Sequence, residues 1–148
     1  RSPLTDIKRF TQRCDIGIIE GGCCNEENVH VLQDFRRNCD VLIGLGQCAI
    51  MGGLPAMRNA IMHSDAPLRE CLEEAYIHGM TSEIGANTIP NHEDIPKILN
   101  NVYPCNEVVK IDYFIPGCPP NANHIWKVVK SILLGKEFPV MHEEFKYD

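Results

Sequence analysis

The sequence lacks several features that would assign a function directly. No apolar run approaches the roughly 20 residues of a membrane span, and no Cys-x-x-Cys pair occurs, which leaves only scattered thiols for a tetrahedral zinc site. Positive charge is scarce, with 14 Lys and Arg against 20 Asp and Glu and a formal net charge of −6. Because nucleic acids and anionic membranes require clustered Lys and Arg, neither is an expected partner.

The chain also lacks repeats, low-complexity tracts and Gly/Ser linkers, so its 148 residues are interpreted as one domain. Cysteine, by contrast, is abundant, with 8 residues. A secreted disulfide scaffold is usually shorter than about 100 residues and poor in aliphatic strands, unlike this chain. We therefore predict a reducing compartment, in which the thiols are buried, catalytic or metal-bound. The sequence begins Arg1-Ser2-Pro3 without Met, and no signal peptide is visible in it.

The hydrophobic pattern predicts an α/β fold with a parallel sheet and helices on both faces. Residues 15–19 and 40–43 are short β-branched runs typical of buried strands. Between them Asn25 is a good cap for a helix of about a dozen residues, so the segment has the signature of a βαβ unit. Residues 108–115 are a predicted third strand and residues 122–134 a closing helix.

The rest of the chain is less regular. Helices are predicted within residues 56–63 and 67–78, and residues 81–104 are predicted to be mostly loop because three prolines interrupt them. Cys71 falls on the apolar stripe of the second helix and is interpreted as a small core residue. Trp126 is also expected in the core.

Each predicted strand ends in a loop rich in Gly or Pro that carries cysteine, at residues 20–24, 44–48 and 116–118. In an open α/β sheet the ligand site lies beyond the carboxyl ends of the strands, so we expect these loops to converge. Gly46 and Gly117 would let the backbone approach a cofactor closely. Thiolates surrounded by backbone donors suit an iron–sulfur cluster, so Cys48 and Cys118 are the predicted metal ligands.

The other cysteines are interpreted as structural. Cys14 and Cys39 precede the aspartates that start strands, and Cys105 follows a proline. Cys23 and Cys24 are expected near the site, but a vicinal pair does not easily give two ligands to one metal.

Other candidate chemistry is weaker. The Gly-x-Gly at 44–46 is not followed by a complete dinucleotide fingerprint, and the six histidines show no metal spacing. Glu20 is a lone carboxylate at a strand end, which could relay protons or accept backbone N–H groups of the following turn.

Three motifs, in order, resemble the small subunit of nickel–iron hydrogenases and its relative, the 20 kDa-type iron–sulfur subunit of NADH:quinone reductase. They are Ile19-Glu-Gly21, Gly46-Gln-Cys-Ala-Ile-Met-Gly-Gly53 and Pro116-Gly-Cys-Pro-Pro120. The resemblance covers nearly the whole chain. Within the family, Asn25-Glu-Glu-Asn28, Arg58-Asn59 and residues 109–118 are most similar to the cytoplasmic NAD-reducing type.

The resemblance implies a flavodoxin-like domain that holds the proximal [4Fe–4S] cluster. Cys48 and Cys118 match two of the four cluster ligands of the family, and Glu20 matches its Glu-Gly motif beside the cluster. The other two ligands come from an N-terminal strand and loop without a counterpart here, so an N-terminal segment is expected to be missing. The implied partners are a large subunit with the nickel–iron site and diaphorase subunits with FMN and NAD.

Other functions stay open from the sequence alone. The homologous subunit of a quinone reductase, or of another hydrogenase class, would have the same cluster and different partners. An FMN-binding flavodoxin-like module would use the same loops, although a Ser/Thr-rich phosphate loop is lacking. A purely structural assembly subunit would tolerate replacement of Cys48 and Cys118 without loss of electron transfer.

Overall fold

The computed structural model describes residues 10, 12–61, 67–82, 85 and 87–136. In chain order the strands are β1 (Cys14–Glu20), β2 (Cys23–Asn25), β3 (Cys39–Leu45), β4 (Ile98–Tyr103) and β5 (Tyr113–Ile115). The helices are α1 (Glu26–Asn38), α2 (Gly46–Met51), α3 (Arg58–Ile61), α4 (Pro67–Tyr76), α5 (Cys105–Val108) and α6 (Ala122–Leu133), with a 3₁₀ turn at Leu54–Met57. None of the helices in these described ranges is long and apolar enough to cross a membrane.

The main sheet has three parallel strands in the order β1-β3-β5. Strand β3 is central, and its register with β1 runs from the pair Cys14 and Cys39 to the pair Glu20 and Leu45. Strands β2 and β4 form a separate antiparallel ribbon. Because β1, β3 and β5 run in one direction, their carboxyl ends lie along the same edge of the sheet.

Helices cover both faces of the sheet. Successive strand residues point to opposite faces, so Leu42 packs in a cluster with Leu32 of α1, whereas Ile43 packs in a second cluster with Val128 of α6. All four side chains are at most 2% exposed. The predicted α/β fold, a parallel sheet between helices, is confirmed.

Helix α1 begins where the sequence predicted. Asn25 is its N-cap, and its side-chain oxygen accepts a hydrogen bond of 2.8 Å from the backbone N–H of Asn28. The side chain of Asn28 accepts in return from the N–H of Asn25, at 3.2 Å, which completes a capping box. Glu26 and Glu27 in the first turn match the positive end of the helix dipole.

The third strand is shorter than predicted. Only Tyr113–Ile115 pairs with β3, and the start of the predicted segment belongs to α5. Asp112 explains where the ladder ends, because its carboxylate accepts the N–H of Leu42 at 2.9 Å, while its own N–H donates to the carbonyl of Leu42 at 2.9 Å. The Asp112 side chain thus accepts the N–H of Leu42, which in a regular ladder would donate to a backbone carbonyl.

The described residues of 81–104 are mostly loop, as predicted, but they include strand β4, which pairs with β2. Two other expectations need correction. Cys71 is half-buried on α4 and does not lie in the core. Trp126 is 63% exposed, because the inward side of α6 is formed by other residues, among them Val128.

Candidate functional site

The structure brings the three cysteine-bearing loops together at the carboxyl edge of the sheet. The backbone N–H of Gln47 donates to the carbonyl of Gly117 at 3.1 Å, which joins the end of β3 to the end of β5. The loop after β1 reaches the same place, since a Cβ added at Gly22 would lie 3.4 Å from the carbonyl oxygen of Cys48.

Cys48 lies in the first turn of α2 and not in an open loop, because β3 continues to Leu45 and the helix begins at Gly46. Its side chain is half-buried. The chain then turns back on it, with the N–H of Gly52 donating to the carbonyl of Cys48 at 3.0 Å. A Cβ at Gly53 would lie only 2.8 Å from the Cys48 sulfur.

Gly53 is therefore a site residue that the sequence reasoning did not single out. Its backbone has φ 53° and ψ −145°, a conformation that is essentially restricted to glycine. The signal was the double glycine after α2, but only the folded turn shows that the second glycine rests on the Cys48 sulfur.

Gly46 and Gly117, the predicted cofactor-binding glycines, face each other across the two loops. Both have positive φ, 81° and 138° respectively. A Cβ at Gly46 would lie 3.5 Å from the carbonyl oxygen of Gly117, and a Cβ at Gly117 would lie 2.5 Å from Cα of Pro120. Glycine at these two positions thus lets the loops stay in contact. Cys118, which follows Gly117, is exposed.

The donor set fits a shared metal centre and not a complete one. Within the described ranges, no group of three or more Cys, His, Asp or Glu side chains lies close enough to hold a metal ion. Two thiols on adjacent strand ends are half of the four that a cubane cluster requires. The amide oxygen of Gln47 is buried there and has no hydrogen-bond partner among the residues that the structure describes. A buried amide oxygen of this kind fits a site that is completed by atoms from outside the described residues.

Glu20 is the last residue of β1, and its side chain is exposed. It lines a cavity of about 310 Å³ together with Gly21, Gly22, Cys23 and Cys105. The structure therefore places Glu20 at the same edge of the sheet as Cys48, on the β1 side.

Cys23 and Cys105 are both 2% exposed. A hydrogen bond between the two thiols lowers the pKa of Cys23 against the opposing effect of burial. The same bond, together with burial, raises the pKa of Cys105, whose thiol donates to the carbonyl of Gly21 at 3.3 Å. These contacts agree with the structural role predicted for both residues.

Cys24, the neighbour of Cys23, is half-buried and faces different groups. Burial raises its pKa, and the nearby guanidinium of Arg58 acts in the opposite direction. Arg58 itself donates to the carbonyl of Leu99 at 2.5 Å, so it ties the helical segment after α2 to strand β4. The structure thus places Cys24 close to the site, as expected.

A parallel α/β sheet that presents glycine-held thiols at its carboxyl edge is typical of protein domains that bind redox groups at strand ends. The comparisons assign the family. Residues 2–132 match the family of the 20 kDa subunit of NADH ubiquinone oxidoreductase, and the chain belongs to that family.

Individual relatives agree with this assignment. The chain is 50% identical to the delta subunit of the NAD-reducing hydrogenase HoxS from Cupriavidus necator, over 100% of this chain and 69% of that protein. It is 35% identical to the iron-sulfur subunit of the F420-non-reducing hydrogenase from Archaeoglobus profundus, over 84% of this chain and 40% of that protein. A chain in the crystal structure of an NAD⁺-reducing [NiFe]-hydrogenase in the H₂-reduced state matches with a TM-score of 0.89 and 40% identity, over 100% of this chain and 79% of that chain. The resemblance to the small subunit of the NAD-reducing hydrogenases is confirmed.

Proposed function

We propose that the chain is the electron-transfer small subunit of an NAD-reducing nickel–iron hydrogenase, and that Cys48 and Cys118 are two of the four ligands of a proximal [4Fe–4S] cluster. The observation that carries the proposal is the contact between Gln47 and Gly117, which joins two strand ends that each present a thiol. The 50% identity to the HoxS delta subunit supports the same role.

The residues of this chain position and insulate the redox group. Gly53 keeps the backbone close to the Cys48 sulfur, and Gly46 and Gly117 keep the two cysteine-bearing loops in contact. The sulfur atoms and backbone N–H groups of these loops are thereby held in position. When bound, a [4Fe–4S] cluster supplies one-electron transfer at a potential set by its hydrogen bonds and solvent exposure. The remaining two ligands are expected from the cysteine-bearing loop that the resemblance places ahead of β1.

The partners follow from the same resemblance. The large subunit would carry the nickel–iron site, and diaphorase subunits with FMN and NAD would accept the electrons in the cytoplasm. Met51, Leu54 and Met57, which follow Cys48 in the chain, are 62%, 78% and 56% exposed. Large exposed apolar side chains so close together mark a protein contact, and their position beside Cys48 suits the large subunit.

Glu20 has a secondary role in this proposal. Its exposed carboxylate at the carboxyl end of β1 is available for proton transfer or for contact with a partner subunit. A Glu20→Gln variant keeps the shape and removes the charge. We expect it to lower hydrogen turnover without changing the iron content.

The test is the iron and acid-labile sulfide content of the complex, purified without oxygen, together with the EPR spectrum of the reduced sample. We expect about four irons that belong to this subunit, and a lost or altered cluster signal in Cys48→Ser and in Cys118→Ser. Cys71→Ser is the matched control, since it replaces a half-buried thiol on α4. Unchanged iron and EPR in both site variants would contradict the ligand assignment.

A further inference from the structure

A second pair of thiols lies at the opposite edge of the sheet. Cys14 is the first residue of β1 and Cys39 the first residue of β3, and the two are direct partners in the parallel register. Their sulfur atoms are 2.8 Å apart. Neighbouring strands are about 4.8 Å apart, which lies within the roughly 4.4–6.8 Å between Cα atoms that a disulfide spans. We propose that Cys14 and Cys39 are a redox modification site that forms a reversible disulfide between β1 and β3.

The packing holds the Cys39 sulfur in position. It is 3% exposed, and a Cβ at Gly17 would collide with it and lie 2.7 Å from Cζ of Phe35. The ring of Phe35 stacks on Phe10, with 4.9 Å between the ring centroids. Glycine at position 17 thus leaves the space that the sulfur occupies, and no backbone movement is needed to bring the two thiols together.

The two cysteines have different roles in the oxidation. Cys14 is half-buried and is the sulfur that an oxidant reaches first. Burial, followed by the hydrogen bond with Cys14, raises the pKa of Cys39 to about 12, so Cys39 keeps its proton until the second step. Arg36 donates to the carbonyl oxygen of Cys39 at 2.7 Å, and Arg13 pairs with Asp40.

The oxidant is a low-molecular-weight disulfide, such as oxidised glutathione. The Cys14 thiolate attacks one sulfur of the oxidant, which forms a mixed disulfide and releases one glutathione thiolate. Cys39 then loses its proton and attacks the Cys14 sulfur, which releases the second glutathione thiolate. In total the protein loses two protons and two electrons, one S–S bond forms, and one glutathione disulfide becomes two thiols.

This site is separate from the proposed cluster. Cys14 and Cys39 begin their strands, whereas Cys48 follows the end of one, and β1 and β3 have 7 residues each. Such a strand is roughly 20 Å long. The inference therefore does not rest on the proposed electron-transfer role.

A single digestion can locate the disulfide in the assembled complex. The complex is equilibrated with reduced and oxidised glutathione at several ratios, free thiols are alkylated, and the chain is cleaved before aspartate. The aspartates at positions 6, 15, 34 and 40 release residues 6–14 and 34–39, each with one cysteine. We expect these two peptides joined by one disulfide, two hydrogens lighter than their sum, and separated by reduction.

Variants separate this disulfide from other thiol chemistry. Cys14→Ser should abolish the cross-linked peptide and leave the buried Cys39 packing intact, whereas the control Cys71→Ser should retain the cross-link. Oxidised wild-type chain should melt about 5–10 °C above the reduced chain, since the bond closes a loop between residues 25 positions apart. In Cys14→Ser we expect no such shift.

Two outcomes would overturn the proposal. One is glutathione attached to Cys14 without a cross-link at the most oxidising ratio, which would show that Cys39 does not complete the exchange. The other is a disulfide found only between the peptides of residues 15–33 and 94–111, the first of which contains Cys23 and Cys24 and the second Cys105.

Discussion

Replacing Gly53 by alanine tests whether this glycine holds the Cys48 sulfur. The new Cβ would lie 2.8 Å from Sγ of Cys48 and 3.1 Å from its Cα and N. Ordinary contacts between such atoms are about 3.5–4.0 Å, so the turn or the sulfur must move by more than half an ångström. Both the packing and the position of the sulfur should change.

The expected cost has two parts. A side chain at φ 53° and ψ −145° is strained by about 1–3 kcal/mol. Overpacking against Cys48 adds about 1–3 kcal/mol. Since about 1 kcal/mol shifts the melting temperature of a chain of this size by roughly 2–4 °C, the melting temperature of Gly53→Ala should fall by about 5–15 °C.

Gly135→Ala is the matched control. Gly135 has a similar φ of 61°, but an added Cβ there meets nothing within 4 Å. This variant should lose only about 1–2 kcal/mol of stability and none of the iron. Circular dichroism melts of the chain and iron analysis of the complex measure both effects. If Gly53→Ala melts within about 3 °C of Gly135→Ala and keeps full iron, the role assigned to Gly53 is wrong.

The remaining predictions concern the supports of the fold. Arg36→Met should destabilise the chain by about 2–3 kcal/mol, because Arg36 binds the Asp112 carboxylate at 2.6 Å and both side chains are only about one-fifth exposed. A double-mutant cycle with Asp112→Asn should show a coupling energy of about 1 kcal/mol, and additive effects of the two substitutions would contradict the pairing. Burial opposes ionisation of Asp112, but hydrogen bonds from Arg36 and from the N–H of Leu42 outweigh it and hold the pKa below its ordinary value of 3.8. The resulting stability is present above about pH 4 and is lost as the pH falls through the folded-state pKa. Acid should therefore lower the melting temperature of wild type more than that of Asp112→Asn. Equal slopes of melting temperature against pH for the two proteins would refute this. Asn59→Ala should cost about 2–3 kcal/mol of stability, because the Asn59 side chain donates to the carbonyl of the buried Val102 at 2.8 Å and accepts from the N–H of Val102 at 2.9 Å. A stability within about 1 kcal/mol of wild type in thermal melts would show that water replaces both bonds.

The central part of the fold could be predicted because local signals agree there. Residues 15–19 and 40–43 are β-branched runs with glycine within two residues of their ends, and Asn25 between them can cap only a helix that begins after it. The parallel pairing of β1 with β3 follows from the helix that connects them.

The parts that were missed depend on contacts distant in sequence. Strand β4 contains two adjacent asparagines, so its sequence lacks a strand pattern, and within the described part of the chain its partner is the short β2. Helix α6 is apolar on more than one side, and the sequence does not say which side meets the sheet. Val128 is fully buried there, whereas Trp126 and Leu133 are 63% and 65% exposed.

The candidate site likewise has one part that could be predicted from the sequence and one part that could not. Strand ends followed by Gly-Leu-Gly or Pro-Gly place Cys48 and Cys118 at one edge of any parallel sheet, so their neighbourhood was predictable. The contact of Gly53 with the Cys48 sulfur depends on how the chain turns after α2. The partnership of Cys14 with Cys39 depends on register, which sequence spacing alone does not fix.

Because the strands run in one direction, Cys14 and Cys39 lie at one edge of the sheet and Cys48 and Cys118 at the other. A residue that begins a parallel strand and one that follows its end cannot meet, because the length of the strand lies between them. Cys14 and Cys39 are therefore free to exchange electrons with small disulfides without contact with Cys48 or Cys118. If both proposals hold, Cys14→Ser should lose the cross-link and keep the iron, whereas Cys48→Ser should lose iron and keep the cross-link. A variant that loses both would show that the two edges are coupled through the sheet.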